Sequence, residues 1–115
     1  MIRFLAGSLS GKKINVQSGT FYSFAGSDAD RIVLFTNNGS VVATVPLDSV
    51  VAFPVGSTIT VAQSGSGSLT FSPQVGVTLN KNSFDSLTAD GQYSYMSLIK
   101  TGTDTWDLIG RLTPL

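Results

Sequence analysis

Short alternations of apolar and polar residues run through the chain, broken at close intervals by Gly, Ser, Asn and Asp, and no stretch sustains a helical period. "STITVAQ" sets Ile59, Val61 and Gln63 against Thr58, Thr60 and Ala62, the pattern of a half-buried strand with a hydroxyl-rich outer face. "SLTF" resumes it with Leu69 and Phe71 on one face. In "RIVLFTNNGSVVATV", Arg31 to Thr36 and Ser40 to Val45 are β-rich runs around Asn38-Gly39, which predicts a hairpin with a tight turn at positive φ. "GQYSYMSLIK" and "TWDLIGRL" flank "TGTD" and predict another hairpin. Tyr93, Tyr95 and Ile99 fall on one face of its first strand, Met96 and Leu98 on the other. Apolar groups on both faces imply cover on both sides, by the core on one and by a neighbouring subunit on the other.

"KKINVQ" and "TFYSFA" read as further strands, and "VVAFPVG" as an edge or crossover element, because Pro54 has no N–H for a ladder. Many short strands with frequent turns predict an all-β fold: a compact antiparallel β-sandwich or small barrel, jelly-roll-like. The 115 residues make one domain. Residues 1–30 are expected to be its N-terminal strand or arm segment and residues 31–115 its sandwich core. "MIRFLAG" is strand-like without a hairpin partner, so Ile2, Arg3, Phe4 and Leu5 are candidates for a binding or subunit-swapping arm that adds to an open sheet edge, a shell-binding arm if the chain coats a larger particle. No linker and no internal repeat stand out.

Composition narrows the function. Charged residues are 12%, about half the usual ~25%, and the formal net charge is +0. Nucleic acid, bound through clustered positive charge, is not an expected partner. Few charges also leave little self-repulsion, which suits a chain packed against neighbours. There is no Cys and no His, so disulfides and Cys/His zinc sites are closed off, and no Glu occurs among the acidic residues. The N-terminal apolar patch is too short for a signal peptide, and no stretch approaches a membrane span.

Candidate chemistry is sparse. Gly65-Ser66-Gly67 would need a following helix to cradle phosphate; a strand follows, so it reads as a turn. Asp28 and Asp30 are the closest carboxylate pair, and "GSDADR" reads as a solvated loop rather than a cleft. Asp104 and Asp107 straddle Trp106, which raises a calcium or sugar site, but no EF-hand spacing accompanies them. Trp106 alternates in phase with Leu108 and Leu112 and reads as core. Asn38-Gly39-Ser40 fits a glycosylation sequon and is read as a turn. An enzyme is not expected, and neither a cofactor nor a metal is.

Two stretches, "FPVGSTITVAQSGSGSLTFSPQVGVTLN" and "GQYSYMSLIKTGTDTWDLIGRL", resemble a β-domain recurrent in tailed-bacteriophage virion proteins. The likeness rests on Pro54, Gly56, Gln63, Gly65, Gly67, Gly76, Val77, Gly91, Gln92, Tyr93, Lys100, Trp106 and Gly110, and covers about the C-terminal two-thirds of the chain. Met1 to Asp30 has no counterpart in it. The resemblance implies a non-enzymatic virion structural protein. A module of this size, without shaft or attachment segment, is similar to capsid decoration (cement) proteins, which sit as homotrimers on the major capsid protein shell and stabilise the head. It would be made in the host cytoplasm and end on the capsid surface, without nucleic acid or membrane as partner. The alternative is a tail-fibre or tail-tip module that recognises host glycan through exposed aromatics and Asp.

Overall fold

The computed structural model describes residues 11–115. Eleven strands and one short 3-10 turn follow one another: β1 (Ile14–Gln17), β2 (Phe21–Ser23), the turn Gly26–Asp28, β3 (Ile32–Phe35), β4 (Val41–Val45), β5 (Thr58–Gln63), β6 (Leu69–Pro73), β7 (Thr78–Asn80), β8 (Asp85–Ala89), β9 (Tyr95–Gly102), β10 (Thr105–Gly110) and β11 (Leu112–Pro114). They form a six-stranded sheet, β1-β3-β5-β9-β10-β7, and a five-stranded sheet, β11-β8-β6-β4-β2. The fold is the expected all-β sandwich. Its sheets are mixed rather than antiparallel.

The parallel part corrects the sequence reading. β1, β3 and β5 pair parallel in one sheet, and β2, β4 and β6 pair parallel in the other. Each pair β1–β2, β3–β4 and β5–β6 is therefore an arch whose strands lie in opposite sheets. Arg31 to Val45 is not a hairpin, and neither Asn38 nor Gly39 takes a positive φ. A hairpin and an arch leave the same alternation in the sequence, because either way Val33, Phe35, Val41, Ala43 and Val45 are buried. What separates them lies in neighbouring turns.

Those turns stack. Asn37 Nδ2 donates to the Ser18 carbonyl at 2.9 Å, and Ser66 N–H donates to Asn38 Oδ1 at 3.1 Å. The middle turn thus ties itself to one on either side. Gly65 and Gly67 permit the close approach: a Cβ on either would lie 2.0 Å from a backbone oxygen of the middle turn, that of Asn37 or Gly39. The Gly-Ser-Gly stretch is a turn, as expected, but one between sheets. The arches are also an internal repeat that the sequence reading passed over. Gln17-Ser18-Gly19 and Gln63-Ser64-Gly65 occupy equivalent positions, since Gln17 pairs with Phe35 and Phe35 with Gln63.

The second half closes the sandwich by antiparallel pairing. β9 and β10 form the expected hairpin across "TGTD", with Asp104 at φ 49. β9 begins at Tyr95, so Tyr93 is not on the strand but in the preceding turn, at φ 67. Met96, Leu98, Trp106 and Leu108 enter the core between the sheets. Trp106 is fully buried, with the Phe53 ring edge-on at 5.1 Å between centroids. Residues 46–57, which include "VVAFPVG", are the crossover from β4 to β5 and hold no strand.

Candidate interaction surface

Alternation along a strand puts every second residue on the outside of the sandwich. In the five-stranded sheet the outward residues are mostly hydroxyls. Ser23, Thr44 and Ser72 make one row, and Thr70 and Thr88 part of the next, with Thr70 Oγ1 and Thr88 Oγ1 3.2 Å apart. Phe21 and Val42 are the apolar exceptions, side by side toward the β2 edge.

The six-stranded sheet differs. Its register aligns Ile14, Ile32, Thr60, Ser97 and Ile109 in one outward row, and Val16, Leu34, Ala62 and Tyr95 in the next. Ile14, Val16, Tyr95 and Ile109 are 56%, 58%, 59% and 53% exposed. Asp107 is the acidic residue on this face, and Asn80 Nδ2 donates to it at 3.2 Å. Tyr95 and Ile99 lie on the face opposite Met96 and Leu98, as the sequence pattern predicts; the structure turns the first two outward and the second two into the core. A two-sided apolar strand is therefore a property of the whole sheet. One side is the core; the other is open in the single chain.

This face ends at an open edge. β1 is the last strand of one sheet and β2 the last of the other, so the first arch has unpaired backbone on its outer side among the described residues. Beside β1 lies a cavity of about 330 Å³ lined by Lys13, Ile14, Asn15, Ser27, Asp28 and Arg31. Asp28 is not the solvated loop residue expected. It is 1% exposed, and its carboxyl accepts from Asn15 Nδ2 at 3.0 Å, Tyr22 Oη at 2.7 Å and Ala25 N–H at 2.8 Å. Burial and then Asp28 itself push the Tyr22 hydroxyl up to about 12. Asp30 is exposed, so the pair does not share one environment.

The residues that carry the phage resemblance are scaffold. Gly56, Gly76, Gly91 and Gly110 have positive φ at turns and strand ends. Pro54 is exposed and accepts Ser57 N–H at 3.0 Å. Gln63 is buried, and its Nε2 donates to the carbonyls of Gly65 and Gly67, fixing the third arch. Gln92 Nε2 reaches the Ser64 carbonyl at 3.0 Å, and Val77 packs on the core. Lys100, a charged residue whose burial no local pattern announces, lies beneath the β4–β5 crossover. Its Nζ donates to Asp48 Oδ1 at 2.7 Å and to the Phe53 carbonyl at 2.9 Å, and sits 5.6 Å from the Trp106 ring. That hydrogen bond, more than any other cause, holds the Asp48 carboxyl below its ordinary 3.8.

Asp104 is part of the same clamp, accepting Asp48 N–H at 2.7 Å, and so is spent on structure rather than aimed at a ligand. Among the described residues no group of His, Cys, Asp or Glu is arranged to hold a metal. None of their helices is long and apolar enough to cross a membrane. Trp106 and Tyr22 offer no sugar platform: one is in the core and the other is bonded to Asp28. Ile2, Arg3, Phe4 and Leu5 lie outside the described residues. The outer face was legible only in part. The runs "RIVLF" and "SYMSLI" carry apolar residues at consecutive positions, but their rows align only through the register. We found no match of the chain to a family model, a curated protein or a solved structure.

Proposed function

We propose that the chain is a non-catalytic structural protein of a tailed-bacteriophage virion, and specifically a decoration protein that binds the assembled head shell and stabilises it. The observation that carries this reading is the apolar outer face of the six-stranded sheet, set against a hydroxyl-rich face on the opposite side. A sandwich whose two outer faces differ in this way has one face suited to water and one suited to a partner. The face offers aliphatic and aromatic side chains with scattered hydroxyls and one carboxylate, Asp107, held by Asn80, a lining suited to contact. Each contact is modest, and binding only the assembled shell shifts the equilibrium toward that state by mass action. The C-terminal two-thirds adds its resemblance to phage virion domains, from which the trimer is carried over.

The test is co-sedimentation of purified protein with assembled shells that lack it. Saturation at hundreds of copies per particle, with a higher shell-rupture temperature, is the expected result. Val16→Asp, at a position more than half exposed, should leave the fold intact and weaken binding roughly tenfold or more. Unchanged binding of that variant, or no binding of the parent, overturns the reading. A tail module recognising glycan has one observation in its favour, the exposed Tyr93 and Tyr95 rings. Retention on tails rather than heads, with glycan binding lost in Tyr93→Ala, would select it.

A further inference from the structure

We infer that the notch beside β7 is a saccharide-binding site that takes one neutral sugar ring. It arises from the way the six-stranded sheet ends. β7 pairs with β10 only at Thr105, Trp106 and Asp107, and after Asn80 the chain leaves for β8 in the opposite sheet. β10 runs on to Gly110, so residues 108–110 have no strand on that side among the described residues. The space left is a cavity of about 340 Å³ lined by Asn80, Lys81, Asn82, Asp107, Leu108 and Ile109. That volume lies at the small end of the ~300–1,000 Å³ range of ligand sites, the scale of a single ring.

Hydrogen bonds within the chain fix which way the polar groups face. Asn80 Nδ2 donates to Asp107 Oδ1 at 3.2 Å, which leaves Asn80 Oδ1 and Asp107 Oδ2 as acceptors. Asn82 Oδ1 accepts the Phe84 N–H at 3.0 Å, and the Asn82 carbonyl accepts the Asp85 N–H at 3.0 Å. The turn is held on both sides, and Asn82 Nδ2 remains a donor. Lys81 Nζ takes part in neither salt bridge found among the described residues. The notch thus offers two acceptors and two donors beside the aliphatic side chain of Ile109, which is 53% exposed.

Charge and hydrogen-bonding capacity choose the ligand class. One carboxylate and one ammonium cancel, so the lining favours neither an anion nor a cation, and no metal-holding group is found among the described residues. A hydroxyl donates and accepts, and neighbouring hydroxyls on a ring can meet a mixed set of donors and acceptors at once. The C–H face of the same ring covers Ile109. A partner's side-chain amide meets both kinds of group as well, but fills only part of the volume. Asn80, Asp107 and Ile109 stand on strands, so the site needs little rearrangement to bind. It lies at the edge of the sheet farthest from β1, and the inference does not rest on what the rest of the outer face binds.

The test is a titration of the isotope-labelled chain with neutral sugars, read by amide NMR shifts. Glucose, galactose, mannose, fucose and N-acetylglucosamine are each added to about 50 mM, and acetamide stands for a partner's side-chain amide. At least one sugar should shift the amides of residues 80–82 and 107–109, with a Kd of roughly 1–10 mM. Asp107→Ala removes an acceptor, and Asn82→Asp keeps the acceptor for the Phe84 N–H while removing the donor. Each should weaken binding roughly tenfold or more and leave the other amide signals in place. Tyr93→Ala should leave binding unchanged. No shift at these residues with any of the sugars overturns the inference, and so does full affinity in both notch variants. Acetamide binding more tightly than every sugar overturns it in favour of a protein partner. Sugar binding that Tyr93→Ala abolishes and Asp107→Ala spares overturns it in favour of the tail-module reading. Shell binding is measured separately, so failure here is distinct from failure of the decoration reading.

Discussion

The stacked turns can be tested with one methyl group. A Cβ on Gly67 would lie 2.0 Å from the Gly39 carbonyl oxygen and 2.6 Å from that of Asn38. Neither contact is with a flexible side chain, so the third turn must lift away from the second by more than an ångström. Lifting it breaks the Ser66 N–H bond to Asn38 Oδ1 and the Ser68 Oγ bond to Ser40 Oγ, and disturbs the carbonyls that hold the buried Gln63 amide. Overpacking of this kind costs about 1–3 kcal/mol. Each hydrogen bond lost adds about 1 kcal/mol, and a buried amide left short of an acceptor adds more. Against this, Ala restricts the unfolded chain and returns about 0.4–1 kcal/mol. The net expectation for Gly67→Ala is a loss of about 2–4 kcal/mol, a large part of the ~5–15 kcal/mol that holds a typical domain together. Gly19→Ala is the internal control. It belongs to the outermost described turn, and its Cβ would meet nothing nearer than 3.9 Å. It should change stability by less than about 0.5 kcal/mol. Urea titration followed by circular dichroism reads both as shifts in midpoint at constant slope. Equal midpoints for the two variants would refute the stacked-arch account, since a hairpin turn exposed to solvent treats the two methyls alike.

Two pH dependences follow from the buried polar groups. Lys100 holds the Asp48 carboxyl below its ordinary 3.8, so the stability from Asp48 is present above that value and lost as pH falls through the lower folded one. Asp48→Asn should therefore flatten the acid limb of the urea midpoint as pH falls below 3.8, and an acid limb identical to the parent's would remove Asp48 as its source. For Tyr22 the hydroxyl is raised from 10.0 to about 12, so its contribution is intact below pH 10.0 and lost as pH climbs through that interval. Tyr22→Phe should lose less stability than the parent across the same range; parallel curves would assign the alkaline loss to other groups.

What the sequence disclosed and what it hid divide along a physical line. Periodicity reports which residues share a face: it set Ile59 and Val61 opposite a hydroxyl-rich outer face and Trp106 in the core, and it grouped Leu69 with Phe71 and Met96 with Leu98, all of them buried. It cannot report which sheet a strand joins, because an arch and a hairpin impose the same alternation. The β9–β10 hairpin was legible because "TGTD" is short and its strands stay adjacent. The β3–β4 connection was misread because "NNG" is also the signature of a hairpin turn. The signal that would have corrected it lies in no single segment: Gln-Ser-Gly recurs at 17–19 and 63–65, and a glycine flanks each turn where the next one stacks. Burial of Asp28 and Lys100 was hidden for a similar reason. Their partners are Asn15 and Tyr22 in one case and Asp48 and Phe53 in the other, all brought close by crossovers between sheets. The candidate surface was half visible, as apolar residues on both faces of β9, and became a surface only when the register lined up residues from five strands.

The two halves of the sandwich also explain why its contact surface lies where it does. β8 to β11 build the far side largely by antiparallel pairing, with the Arg111 N–H bonded to the Tyr95 carbonyl and the Asp90 N–H to the Arg111 carbonyl, and its terminal strands β7 and β11 are three-residue edges, the second carrying Pro114. The arches add by parallel stacking, and a parallel stack has no inherent end: each rung pairs the last and offers the same edge to the next. At β1 and β2 that offer remains open among the described residues, and it is there that Ile14 and Val16 stand more than half exposed. Natural sheets blunt such edges with charges or proline. Here β1 carries Ile14-Asn15-Val16-Gln17 and β2 carries Phe21-Tyr22-Ser23, without either. An edge left apolar and uncharged, beside an apolar outer face, is the arrangement expected of a chain whose stable state includes neighbours. Blunting it is then the direct counter-test: Ile14→Lys, at a site 56% exposed, should leave the isolated domain folded while removing whatever assembly the edge supports.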